Sequence, residues 1–439
     1  MIKSIELGNL KKKEFGGRWF FMTGIKHYTT TTKGIGGRIK RRVSDFIVRE
    51  ITPEGRVLQN RAFGEWDGIK NGALFVPPQE EGREYLHLSM EKFNLDTNDA
   101  MRRLCRILYI SPKRIGYAGM KDKRGITVQR ISLWMPDTGR LAGFSSRYVA
   151  LSEPEWSAER IDIGKLKGNE FEITVRDIGI NEGELEGICK ECFRQMKGGV
   201  ANYFGGQRFG GIREITHRVG KEFIKGNFEN AVMMYLTSPS EGEEEEVALA
   251  RKHLGDTKDF AAASRDFPPK FRYERAIIHH LCKFPRDFVG AFQNLPKHLT
   301  YMFTHAYQSY LFNEIINERI EQGVGIGPVE GDVLEDGVPT AALLGFDTRF
   351  AGGTAGKIES QILEREGILL SDFKVKGFPE LSCRGARKKI ALAPHDLKLG
   401  GIEKDELNEG KLKLKISFSL DKGNYATTIL RELMKGGAG

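Results

Sequence analysis

A chain of 439 residues is longer than one hydrophobic core usually organises, so two domains are the default. With 40% hydrophobic residues, 29% charged residues and a mean hydropathy of −0.39, the composition is globular, excludes a largely disordered chain and contains no apolar run of transmembrane length. The formal charge of +9 is unevenly placed: residues 1–50 carry +8, 51–220 +3, 221–380 −7 and 381–439 +5, which suggests one basic surface built from both chain ends and facing a polyanion.

Residues 1–24 match no pattern and read as an N-terminal extension, with Met22 a possible alternative initiator. Lys11, Lys12 and Lys13 are followed by no signal-type apolar region, so the expected location is the cytoplasm. Thr29 to Thr32 and Gly34, Gly36 and Gly37 form a polar, flexible stretch. Ser44 to Glu50 and Tyr85 to Leu88 read as strands. A helix is expected from Thr97 or Asn98, both suitable N-caps, with Met101, Leu104, Cys105 and Leu108 inward and Arg102, Arg103 and Arg106 outward. Ile131, Leu133 and Met135 share one face by period two, as do Phe171, Ile173 and Val175. A second helix carries Leu185, Ile188, Cys189, Cys192, Phe193 and Met196 on one stripe, so its lone C-x-x-C reads as core rather than metal site. Five cysteines, an odd number, argue for a reducing compartment and against a disulfide framework.

The acidic middle begins after about residue 225 and includes Glu241 and Glu243 to Glu246, read as a solvated helix start. A helical pattern runs from Phe303 to Ile320, and a Gly/Glu/Asp-rich connection from Gly323 to Gly337. Basic character returns at Arg384, Arg387, Lys388 and Lys389. The clearest strand alternates Leu412, Leu414, Ile416, Phe418 and Leu420 with lysines and serines. Alternation of this kind marks antiparallel or mixed sheets with one wet face, so the expected class is α+β.

Two segments concentrate chemistry. From Arg102 to Arg130 there are nine Lys or Arg and one acid, Asp122, in a loop leading to the strand at Ile131. Flanking cations favour its charged form. It is either a turn aspartate among solvated lysines or a carboxylate placed where an anionic backbone docks. Asn202 to Gly211 (NYFGGQRFGG) pairs aromatics with Asn202, Gln207 and Arg208, which suits stacking on an unpaired base or, equally, a tight turn covered by core aromatics. Gly352 to Lys357 (GGTAGK) has the wrong spacing for a phosphate loop, and Gly34 to Gly37 is no dinucleotide fingerprint. Neither a nucleotide cofactor nor a metal is therefore expected.

These segments resemble the TruD family of tRNA pseudouridine synthases. Tyr117 to Gln129 (YAGMKDKRGITVQ) is similar to its AG-x-KD-x-x-A-x-T-x-Q signature, with Gly125 in place of the alanine. Asn202 to Gly210 is similar to NYFG-x-QRFG. Shorter matches follow in order: Gly37 to Lys40 with Asp45 to Glu50, where Val43 and Ser44 replace Pro-Glu; Lys167 to Phe171; Gln308 to Glu314 (QSYLFNE); and Gly423 to Thr427 with Leu430 to Glu432. Together they span roughly residues 25–435.

The resemblance implies a pseudouridine synthase fold, a mixed and mostly antiparallel sheet with flanking helices, plus an inserted α+β domain. The expected division is an extension at 1–24, a catalytic domain at 25–225 and 383–439, and an inserted domain at 226–382. The implied substrate is uridine 13 of tRNA, with no cofactor, no metal and no membrane partner; a monomer is the default. Asp122 would be the essential carboxylate, Phe204 would stack on the flipped base, Asn202 would position Asp122, and Lys40 would be a basic group beside it. Lys121, Gln129 and Arg208 would support the loops or touch RNA. Arg102, Arg103, Lys113, Arg114, Arg384, Arg387 and Lys388 could hold phosphates. The alternatives are a non-catalytic RNA-binding or RNA-folding protein on the same scaffold, and an RNA nuclease or base-specific hydrolase.

Overall fold

The structure, a computed structural model, describes residues 24–435 apart from 65–73, 212 and 241. The extension expected at 1–24, Met22 included, therefore lies outside the described residues except for its last position. The chain divides into two compact units. One, the sheet unit, comprises Thr30–Gly198 and Ala393–Gly439; the other, the helical unit, comprises Gly199–Leu392 with the segment ending at Thr29.

In chain order the sheet unit begins with β1 (Phe46–Ile51), β2 (Tyr85–Phe93), the helix Thr97–Leu108, β3 (Ile115–Tyr117) and β4 (Ile126–Trp134). After the short helix Thr138–Ala142 come β5 (Val149–Ser157), β6 (Gly168–Ile178) and the helix Glu182–Met196. The helical unit then contributes β7 (Val200–Ala201), β8 (Val333–Glu335), β9 (Val338–Leu343), β10 (Ala386–Lys389) and β11 (Ala391–Leu392) among its helices. The chain returns to the sheet unit for β12 (His395–Lys404), β13 (Leu412–Asp421) and the helix Ala426–Met434.

The large sheet has the order β12-β13-β6-β1-β4-β2-β5. Only β1 and β4 run parallel; every other pairing is antiparallel. β2 covers one edge of β4 along its whole length. On the other edge β1 takes Ile126 to Val128 and β3 takes Ile131 to Leu133. β3 therefore continues the lane of β1, and the loop 118–125 must run back from mid-edge to the first residue of β4.

The period-two reading of β13 holds: Leu414, Ile416, Phe418 and Leu420 are buried, with Lys413, Lys415, Ser417 and Ser419 between them on the wetter face. Ile131 and Leu133 are fully buried as expected. Met135 is not: it is 44% exposed, and its φ of +44° turns the chain out of the strand before its side chain can join that face. The helix Glu182–Met196 buries Leu185, Cys189, Cys192 and Met196 of the expected stripe, with Ile188 and Phe193 partly buried. Burial pushes the Cys189 thiol up to about 12, which makes it an inert core residue.

The helix Thr97–Leu108 buries Ala100, Met101, Leu104 and Leu108 against the sheet. Its N-cap is Asp96 rather than Thr97 or Asn98. The Asp96 carboxylate accepts from the Asn98 N–H, while the Thr97 hydroxyl is occupied elsewhere, on the loop that carries Asp122.

The helical unit is built on Lys297–Glu321, which begins six residues before the expected helix. It packs closely on Thr216–Ile224; a Cβ on Gly220 would sit 2.1 Å from the Phe303 carbonyl oxygen, so only glycine allows the approach. The shared core takes in Phe209, Phe223, Phe292, Phe303, Phe312 and Phe373. A three-stranded sheet, β10-β9-β8, and the β7–β11 pair complete the unit. Residues 199–225 thus fold with this unit, because Phe209, Val219 and Phe223 belong to its core. The charge change near residue 225 is a surface property and falls later in the chain than the packing boundary.

Candidate active site

In the sheet unit the geometry centres on the loop 118–125. A chain segment between two strands needs partners for its own backbone groups if it is to hold one shape. This loop finds them in side chains. The Gln129 amide, fully buried, donates to the Gly119 carbonyl at 3.1 Å. The Thr97 hydroxyl accepts from the Lys121 N–H at 3.0 Å and donates to the Lys121 carbonyl at 3.3 Å. The Lys92 ammonium, also fully buried, donates to the Asp122 carbonyl at 2.5 Å and lies 3.5 Å from the Lys121 carbonyl. Gly125 closes the loop against β1, where a Cβ would stand 2.5 Å from the Phe46 carbonyl oxygen. The loop thus sits closer to Phe46 than the alanine of the family signature would permit.

The side chains of Lys121 and Asp122 diverge. Lys121 is 8% exposed and points inward, with its ammonium 2.7 Å from Glu50 Oε2 and 2.8 Å from Asn169 Oδ1. It anchors the loop to β1 and β6. Asp122 points outward and is 38% exposed on its side chain. Lys40 Nζ donates to Asp122 Oδ1 at 2.7 Å and lies 3.8 Å from the centre of the Phe46 ring. Lys40 itself has a φ of +57°, a left-handed conformation that a lysine adopts only when its surroundings impose it. They do so here: the Arg124 guanidinium donates to the carbonyls of Lys40 and Arg41 at 2.6 and 2.9 Å.

Burial pushes the Lys92 ammonium down to about 8; Asp122 and Asp96 pull it the other way, and Lys121 and Lys40 reinforce the fall. A buried cation is tolerated where strong acceptors surround it, and two consecutive carbonyls are such acceptors.

In the helical unit Asn202, Phe204 and Arg208 lie on one turn. Asn202 is 2% exposed; its N–H donates to the Ile390 carbonyl at 2.8 Å and its Nδ2 to the Lys389 carbonyl at 3.0 Å. The Tyr203 hydroxyl donates to Asn317 Oδ1 at 2.8 Å. Phe204 is held at both backbone groups by the buried Asn313 carboxamide, which accepts from its N–H at 2.9 Å and donates to its carbonyl at 3.0 Å. Its ring is 9% exposed, set edge-on to Phe312, with the Arg208 and Lys388 cations 5.7 and 5.1 Å from its centre. Arg208 Nε donates to Ser309 Oγ at 3.0 Å.

The structure therefore gathers Asp122, Lys40, Lys121 and Gln129 within the sheet unit, and Asn202, Phe204 and Arg208 within the helical unit. Lys121 and Gln129 are buried and spend their side-chain contacts on the loop and its neighbouring strands. Sequence reasoning missed Lys92, Thr97, Glu50, Asn169 and Asn313 as site-forming residues. Glu50, Asn169 and Asn313 stand inside matched motifs and could have been singled out. Lys92 stands in no motif, and nothing in its neighbours signals burial of a charge. Among the described residues no group of three metal-ligating side chains forms, and no helix is long and apolar enough to cross a membrane.

The family model for tRNA pseudouridine synthase D (TruD) matches residues 22–337 and 335–433. A chain from Methanosarcina acetivorans named "Probable tRNA pseudouridine synthase D" is 40% identical over 446 residues, covering 94% of this chain and 96% of its own length. One of the same name from Methanopyrus kandleri is 40% identical over 362 residues, covering 81% and 87%. A crystal structure from Methanosarcina mazei, named for tRNA pseudouridine synthase D (TruD), superposes with a TM-score of 0.76 at 37% identity, covering 94% of this chain and 96% of that one. The sheet topology, the ordered motifs and these full-length matches agree: the chain belongs to the TruD family of tRNA pseudouridine synthases, isomerases that convert uridine to pseudouridine in tRNA.

Proposed function

We propose that the substrate position is uridine 13 of tRNA and that Asp122 is the catalytic carboxylate. In this reading the sheet unit is the synthase core, the helical unit is the family-specific insertion, and the enzyme works in the cytoplasm, where its substrate is. The reaction breaks the N1–C1′ bond, turns the uracil and joins C5 to C1′; C5 gives up its proton to solvent and N1, freed from the sugar, takes one up. Atoms and electrons balance within the nucleotide, so the chemistry calls for no redox partner. C1′ and both faces of the ring must be accessible, which requires the nucleotide to leave its stack. Phe204 stacks on an unstacked base of the bound tRNA, and Arg208 supports that turn.

The observation that carries this reading is the contrast inside one loop. Its backbone is fixed by Gln129, Thr97 and Lys92, and Lys121 is drawn inward, yet the single carboxylate is turned to solvent with Lys40 on one oxygen. A carboxylate held still by its neighbours is what attack on C1′, addition to the base or abstraction of the 2′ proton each require.

The test is tritium release from tRNA labelled at uridine C5. The wild type should release tritium at one position, and Asp122→Asn should bind the same tRNA while turnover falls by about 10³-fold or more. Near-normal turnover in Asp122→Asn would sink the assignment. Strand scission or free uracil in place of pseudouridine would point to a nuclease or hydrolase.

A further inference from the structure

Strand β10 presents Arg387, Lys388 and Lys389 in succession, and two of the three have carboxylate partners. Arg387 donates to Thr340 Oγ1 at 2.8 Å and to Glu359 Oε1 at 2.7 Å. Lys389 reaches Asp336 at 2.7 Å. Lys388 has no carboxylate partner among the described residues. Its ammonium, half-buried, makes one long contact to the Asn202 carbonyl, 3.4 Å, and lies over two rings, 5.1 Å from the centre of Phe204 and 5.3 Å from that of Phe312. Burial alone pushes it down to about 7. A cation held only by aromatic faces and one weak acceptor is a cation short of a counter-charge.

The Phe204 ring already carries two cations, so a base can stack on it only if one of them moves. Arg208 is fixed by its bond to Ser309. Lys388 has no comparable tether. We infer that Lys388 is the group that yields: a base stacking on Phe204 displaces the ammonium from the ring, and the ammonium pairs with a phosphodiester of the same RNA. In the free protein the ammonium lies over the Phe204 ring. In the complex it gains the counter-charge it lacks. The inference rests on the reading that Phe204 stacks on a base of the bound tRNA.

The experiment is equilibrium binding of full-length tRNA to the full chain carrying Asp122→Asn, across a salt series, with and without Lys388→Met. Loss of one phosphate contact should weaken binding and reduce the slope of log K against log salt by about 0.7 to 0.9. Lys388→Arg should restore both, which a purely structural defect would not allow. An unchanged slope and affinity in Lys388→Met overturns the inference. So does a slope unchanged in Lys388→Met beside a loss of binding in Phe204→Leu, since stacking then proceeds without the lysine. If Phe204→Leu binds and, in the Asp122 background, turns over like the wild type, it is the stacking reading itself that fails. Inorganic phosphate in the same titration separates a free-anion site from an RNA contact: competition at low millimolar phosphate against a short oligonucleotide overturns the assignment to RNA.

Discussion

Lys92 shows how much one residue can decide without touching a substrate. Its ammonium is sealed from water and bonded to the carbonyl of the residue proposed to be catalytic. Replacing it by methionine leaves the Asp122 carbonyl without that donor, at a cost of about 1–3 kcal/mol, while the Lys121 carbonyl keeps the Thr97 hydroxyl. Lys92→Met should therefore lower the denaturation midpoint in urea, and single-turnover rates should fall while tRNA affinity holds. The groups facing Lys92 are Asp122, Asp96, Lys121 and Lys40, and their balance with burial places its proton loss near 8. Turnover should decline as pH rises through that value, and Lys92→Arg, which stays charged, should move the decline upward in a pH–rate profile. The stability contribution has the opposite slope. Between about 8 and the ordinary lysine value of 10.5 the unfolded chain binds the proton that the folded state has released, so this group favours folding more as pH rises through that window.

At the level of elements, the helix Lys297–Glu321 acts as a rack for the turn that bears Phe204. Asn313 and Asn317, four residues apart on one face, bond Phe204 and Tyr203 respectively. Asn313→Leu keeps the size and removes both backbone partners of Phe204. It should cost about 2–4 kcal/mol, visible as a lower urea midpoint, with tRNA affinity reduced and the sheet-unit contacts around Asp122 untouched. The motif at Gln308 to Glu314 was legible in the sequence as a helix. Its purpose was not, because helical periodicity marks which residues face inward and says nothing of what a buried asparagine meets there. The same limit explains Asp96. Three adjacent residues could cap the helix Thr97–Leu108, and only the loop from β3 to β4, distant in sequence, claims the Thr97 hydroxyl and leaves the cap to Asp96.

At the scale of the whole molecule, the sheet unit is made of two stretches of chain that meet through a buried arginine. Arg176 on β6 donates to Asp45, just before β1, at 2.8 Å and to Asp405, between β12 and β13, at 2.9 Å, with all three side chains nearly sealed from solvent. Removing one partner of such a network strands the other charges in a low-dielectric interior. Arg176→Met should cost about 3–5 kcal/mol in chemical denaturation, more than any exposed ion pair here could return. The charge layout in the sequence suggested that both ends of the chain build one surface. The pairing of β13 with β6 and of β1 with β6 puts the strands from those ends on the two edges of β6 in one sheet.

The sequence by itself determined the α+β class, the alternating strand β13, the cysteine-bearing helix and the family, since these rest on local periodicity and on motifs that survive as short ordered strings. It also singled out Asp122, as the one acid in a basic run. Only the tertiary structure decided the direction in which Lys121 and Asp122 point, the role of Lys92, the clamp on Phe204 and the place where one unit gives way to the other. Those outcomes depend on which distant backbone groups need a partner once the chain has closed on itself, and spacing along a sequence does not carry that information.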